Sequence, residues 1–204
     1  MEKEYRQIEI QDVEIRESKS GIGTLTGYAI VFGKRSLKLG DFYEFINERA
    51  FDRALAQEDE VLALAHHNMD NVLGRRSAGT LRLNKDGHGI SVEVDLPDTS
   101  YGRDILENVK RRDVKGMSFG FSVREDDWDL ESDVPTRTVN DADLFEVSFV
   151  AVPAYPDTTA AMRSLNQAIE ASEPTLEPEH RNVNESRLRL LKIKPLLEDE
   201  NKNK

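Results

Sequence analysis

The sequence predicts a mainly β fold with flanking helices, of the α+β class, arranged as a closed or nearly closed β-barrel. Three observations carry this expectation. Short segments that alternate apolar and polar residues recur through the first 150 positions. Clusters of Gly, Asn and Asp punctuate them, and only two or three stretches space their apolar residues as a helix does. Strands of this kind each bury one face, and closure would remove their unpaired edges.

The elements follow in order. RQIEIQDVEIRE places Ile8, Ile10, Val13 and Ile15 at period two, the pattern of a half-buried strand. GTLTGYAIVFG is a second strand after the turn-prone Lys19-Ser20-Gly21, and Phe42 to Ile46 a third, short one. Asn47 stands where a helix cap belongs, with apolar residues at 51, 54 and 55 behind it. VLALAHH is an apolar run of strand length. GTLRLNKDGHGISVEVDLP alternates on both sides of Asn84-Lys85-Asp86-Gly87 and predicts a hairpin. Apolar residues at 101, 105, 106 and 109 predict an amphipathic helix over Thr99 to Arg112, capped by Asp98 or Thr99. VKGMSFGFSV and ADLFEVSFVAVP are late strands joined by an exposed acidic connection around Asp126–Asp133. Thr158 to Glu170 predicts one more helix. Residues 172–182 are polar and proline-bearing, like a linker, and 172–204 end in a short amphipathic, charged segment.

Length and composition narrow the function. A chain of 204 residues accommodates one domain and an appendage. The net charge of −11 argues against nucleic acid and against anionic membranes, both of which call for excess Lys and Arg. Cysteine is absent, so disulfides, thiolate metal sites and cysteine nucleophiles are excluded, and a reducing compartment fits. MEKEYRQIEIQ has no apolar signal core, so cytosolic synthesis is expected.

Nucleophilic chemistry must then fall to Ser, Thr, Lys or a carboxylate. His66 and His67 stand together at the end of an apolar strand, where neighbours face opposite sides and one can enter a cleft. Ser118 lies between Gly116 and Gly120, so another backbone can approach and main-chain N–H groups are available to an oxyanion. Glu146, inside LFEVSFVAV, is an expensive carboxylate unless paired, and its same-face strand-mates are Leu144, Ser148 and Val150. Such a carboxylate could orient a histidine; Asp143 and Asp141 are rivals. A metal site from His66, His67 and Asp70 is the weaker competitor.

Five stretches in order, GYAIVFG, INERAFDRAL, HNMDNVLGRRSAGTLRL, VDLPDTSYGRDILENVKRRDVKGMSFGF and DLFEVSFVAVPAYPDT, cover about residues 23–160. Together they resemble the prohead maturation proteases of tailed bacteriophages, the caudoviral prohead serine proteases, which are similar in fold to the herpesvirus assembly proteases. The resemblance implies a barrel of herpesvirus-protease type in a protease domain over residues 1–165, with a helical or flexible appendage over 166–204 that is self-cleaved. It selects His67, which precedes Asn68 and Leu73-Gly74-Arg75, as base, Ser118 in Met-Ser-Phe-Gly as nucleophile, and Glu146 as acid. By charge and loop position, independently of the resemblance, Arg75 or Arg76 is a candidate support for the oxyanion. The implied activity is serine endopeptidase cleavage, without cofactor or metal, of scaffolding protein, the N-terminal arm of the major capsid protein, or both, and of the chain itself. It would occur inside the procapsid after synthesis in the host cytoplasm. Herpesvirus relatives are controlled by dimerisation, which implies a homodimer. The alternative is a non-catalytic capsid assembly or scaffolding protein with the same barrel.

Overall fold

The computed structural model describes residues 2–9, 14–16, 21–57, 60–151 and 158–172. The chain divides into two compact units, Met1–Ile169 and Glu170–Lys204, and of the second only residues 170–172 are described. The expected linker and terminal amphipathic segment therefore lie almost entirely outside the described residues.

Unit 1 holds two sheets. The larger has the strand order β1 (Glu4–Glu9), β9 (Gly116–Asp129), β10 (Thr136–Val150), β5 (Leu62–Ala65), β6 (Asn68–Arg75), with β4 (Tyr43–Ile46) also on β10. The antiparallel hairpin β9–β10 is its spine, paired from Gly116↔Val150 to Asp129↔Thr136. Because β9 occupies one edge of β10 along this length, β4 and β5 share the other, both parallel to it. The smaller sheet has the order β2 (Glu14–Arg16), β3 (Thr24–Val31), β8 (Gly89–Asp95), β7 (Leu81–Lys85). Among the described residues three helices accompany them: α1 (Asp52–Ala56), α2 (Ser100–Lys110) and α3 (Thr158–Ser172).

The mainly β architecture with helices matches the expectation, but the closed or nearly closed barrel does not. The larger sheet ends on β1 and β6, the smaller on β2 and β7, and among the described residues no ladder joins these edges. The reason lies in the core. Leu25, Ile30, Ile90, Val92 and Val94 of the smaller sheet belong to one buried cluster with Phe119, Phe121, Val147 and Phe149 of the larger. The apolar faces are satisfied by this shared core, so closure is not needed to bury them. Period-two alternation reports that a strand has one buried face and not whether the last strand meets the first.

Local chemistry explains the other elements. Thr99 Oγ1 accepts the Gly102 N–H at 3.2 Å and starts α2, whose Ile105, Leu106 and Val109 enter the core. Asn47 caps a turn instead of a helix: its Oδ1 accepts from Arg49 N at 3.0 Å, and α1 begins only at Asp52. The expected single strand RQIEIQDVEIRE supplies two, β1 and β2, in different sheets. Strand β9 runs on to Asp129 through part of the expected acidic connection. Along β9, Met117, Phe119 and Phe121 join the core, which turns Ser118, Gly120 and Ser122 to the opposite face of the sheet. The candidate site lies on that face.

Candidate active site

His66 and His67 do not continue the β5 strand. Ala65 pairs with Asn68, so the two histidines are the loop of the β5–β6 hairpin, with φ of 55° and 60°. Two-residue hairpin loops of this hand require positive φ at both central positions, a role usually filled by Asn-Gly. A non-glycine residue held there costs roughly 1–3 kcal/mol and persists where its surroundings dictate it. Here β10 dictates it: His66 N–H donates to the Phe149 carbonyl at 3.0 Å and His67 N–H to Ser148 Oγ at 3.2 Å.

The corner aims the His67 ring at a carboxylate. His67 Nδ1 lies 2.5 Å from Glu146 Oε1, and Glu146 Oε2 accepts the Ser148 hydroxyl at 3.0 Å. With Nδ1 engaged by a carboxylate, Nε2 is the nitrogen left to accept a proton. The Tyr5 ring meets the imidazole edge-on, with centroids 4.9 Å apart.

A bulge sets the direction of Glu146. Leu144 pairs with Phe121 and Glu146 with Gly120, so β10 spends one extra residue, Phe145, against β9. In an unbroken strand Leu144 and Glu146 would share a face. The bulge instead sends Leu144 into the core and turns Glu146 away from it, which corrects the expected face-sharing of the two.

Ser118 sits on the neighbouring strand, directly across from Ser148 and, on its other side, from Gln7 of β1. It is fully buried, and its Oγ has no hydrogen-bond partner among the described residues; Gln7 Oε1 is likewise buried and unpartnered. A buried polar atom without a partner costs about 1–3 kcal/mol, so two in register at one spot stand out. The fold thus brings His67 and Glu146 into contact and sets Ser118 beside Ser148, the residue whose hydroxyl holds them; no bond links Ser118 to His67 in this arrangement.

Gly120 serves a different end from the one its spacing suggested. A Cβ there would stand 2.9 Å from Glu146 Cγ and 3.0 Å from Tyr5 Cε1. The space over Gly120 is filled by the chain's own Glu146 and Tyr5 side chains, not left open for a substrate backbone. Gly120→Ala is accordingly expected to push Glu146 off its line to His67 and break their contact. A crystal structure of the alanine variant checks this, and an unmoved Glu146 would show that the carboxylate needs no such room.

The remaining candidates are engaged elsewhere. Asp143 accepts from Arg53 Nη2 at 2.6 Å and from Arg124 Nε at 2.8 Å, and Asp141 from Arg53 Nε at 3.0 Å. Burial raises the Asp143 pKa, but the Arg124 and Arg53 bonds outweigh it and hold the carboxyl below its ordinary range. Arg75 pairs with Glu60, and Arg76 donates to the Leu55 carbonyl of α1 at 2.7 Å. No three His, Asp or Glu side chains converge to hold a metal ion among the described residues, which removes the cluster of His66, His67 and Asp70. His88 packs its ring on Tyr28, and His180 lies outside the described residues. Ser148 is the member of the cluster to which sequence reasoning gave no role; its signal is the two-residue step from Glu146, which puts both on one face.

The prohead protease of Enterobacteria phage HK97 is 30% identical over 166 residues, covering 78% of this chain and 69% of that protein. The prohead protease of Escherichia phage T5 is 25% identical over 143 residues, covering 70% of this chain, and the match spans 64% of the T5 protein's length. In fold, the chain is similar to the capsid assembly protease of bacteriophage T4, with a TM-score of 0.50 at 10% identity, over 75% of this chain and 100% of that one. The family model described as caudovirus prohead serine protease matches residues 8–172, and the chain belongs to that family.

Proposed function

We propose that the chain is the prohead maturation endopeptidase of a tailed phage, acting by serine acyl transfer with Ser118 as nucleophile, His67 as general base and Glu146 as orienting acid. The observation that carries this reading is the 2.5 Å contact of His67 Nδ1 with Glu146, one strand from a buried serine whose hydroxyl has no hydrogen-bond partner among the described residues. In the first step His67 Nε2 takes the Ser118 proton as Oγ attacks the scissile carbonyl. The proton then passes to the leaving amine, and water repeats the cycle on the acyl-enzyme. Glu146 stabilises the imidazolium throughout. Because Ser118 has no exposed surface, a scissile bond reaches it only when the groups above it move aside.

The substrates in this proposal are the scaffolding protein, the N-terminal arm of the major capsid protein, or both, together with the chain's own residues 166–204 beyond a protease domain of residues 1–165. The chain would be made in the host cytoplasm, enclosed in the procapsid and active there, with a homodimer as its working form. Incubation of the purified chain with its scaffolding and capsid proteins tests the reading. Intact-mass spectra are expected to show time-dependent removal of a segment near residues 166–204 and cleavage of at least one partner, both insensitive to chelator. If all chains stay intact under conditions where shells assemble, the non-catalytic assembly role is the correct one.

A further inference from the structure

Ser148 touches both members of the His67–Glu146 pair. Its hydroxyl hydrogen goes to Glu146 Oε2 at 3.0 Å, and its oxygen accepts the main-chain N–H of His67 at 3.2 Å. The residue is fully buried. Both partners need holding. Glu146 has a flexible side chain laid across Gly120, and His67 sits at φ 60° in a loop whose other residue is also left-handed. We propose that Ser148 is a positioning residue: one hydroxyl fixes the second carboxylate oxygen of Glu146 and the backbone from which the imidazole springs, so that the ring has a single orientation toward Ser118. The proposal rests on the reading of His67 and Glu146 as base and orienting acid, and it gives Ser148 no contact with substrate.

Two consequences separate positioning from packing. Loss of the hydroxyl frees the carboxylate to rotate and removes the acceptor that holds the turn, so the base spends less time aligned while the substrate-binding surface is unchanged. The expected signature is a lower kcat at constant KM, by about 10- to 100-fold, as for residues that orient a catalytic ligand from behind. The proton bridging His67 Nδ1 and Glu146 should give a downfield proton resonance that reports the alignment directly.

The experiment compares Ser148→Ala and Ser148→Cys, the latter keeping the volume with a poor hydrogen-bond donor. Cleavage is measured in the otherwise wild-type chain. The downfield resonance is recorded in the Ser118→Ala background, where self-cleavage is blocked. Both variants are expected to lose 10- to 100-fold in kcat with KM within about twofold, and the resonance is expected to shift upfield or broaden beyond detection. A cysteine variant with wild-type kcat, or a resonance unmoved in either variant, overturns the proposal. Should the wild-type chain show no proteolysis, the protease reading fails on its own account, while the resonance still decides whether Ser148 aligns the pair.

Discussion

Alanine at Ser118 and alanine at His67 are each expected to lower the rate of peptide cleavage by about a millionfold, with no further loss in the double variant. The size and the non-additivity share one cause. A serine hydroxyl is a poor nucleophile until its proton is taken, and the imidazole works in acyl transfer by taking and returning that proton, so either removal disables the same step. Glu146→Gln should cost less, about 10,000-fold, because the amide leaves the ring in place but favours the wrong tautomer. His66→Ala should change the rate by less than about tenfold: His66 shares the left-handed loop, yet its exposed side chain makes no bond to Glu146 or Ser148. Single-turnover cleavage followed by mass spectrometry measures all of these. Independent, additive losses at Ser118 and His67 would mean that they serve separate steps. A companion effect on stability sharpens the test: Ser118→Ala removes a buried hydroxyl that has no partner among the described residues, so its melting temperature should equal or exceed that of the wild type.

How much of this was legible in the sequence depends on how local the signal is. The β7–β8 hairpin and α2 were, because turn residues, a threonine cap and helical spacing are written within a dozen positions. Strand β6 was not: Asn68-Met69-Asp70-Asn71 lies at a sheet edge with little burial and so shows no alternation. Sequence alternation over-predicts a barrel because the pattern in β3 and β9 is the same whether their sheets close or face each other. The His66–His67 corner reads as a strand end in the sequence, since its left-handed backbone is held by Phe149 and Ser148, more than eighty positions away. The direction of Glu146 depends on a bulge opposite Gly120, a property of strand register that composition does not carry. The candidate residues themselves were readable because they are chemically conspicuous: a carboxylate in an apolar strand, a serine between glycines, paired histidines after an apolar run.

Removing the guanidinium of Arg137 with Arg137→Met is expected to destabilise the folded chain by about 3–5 kcal/mol, the usual cost of leaving buried charge without its counter-ion. Arg137 Nη1 donates to both oxygens of Glu4, at 3.0 and 3.1 Å, and to Glu44 at 3.2 Å, while its Nε holds Asp126 at 2.6 Å. Arg6 completes the cluster, with two bonds to Glu44 at 2.7 and 2.9 Å and one to Glu4 at 2.5 Å. Burial works against the charge on Arg6, but Glu44 and Glu4 outweigh it and raise its pKa above the ordinary arginine value. Arg137 shows the same balance, with Glu4, Glu44 and Asp126 prevailing over burial. Three carboxylates therefore share two guanidiniums, and losing either cation leaves an excess of negative charge where Glu4 and Glu44 are nearly inaccessible to water. The arrangement ties β1 to β4, β9 and β10, and β1 is the strand that places Gln7 in register with Ser118. Thermal melts should register the loss as a fall of roughly 10 °C, at a few degrees per kcal/mol for a domain of this size. Replacing Glu4, Arg6, Glu44 and Arg137 together by apolar residues of similar volume should recover most of it, because the desolvation cost disappears with the charges. An Arg137→Met variant that melts within 2 °C of the wild type would mean that water reaches these carboxylates and that β1 is held by its ladder to β9 instead.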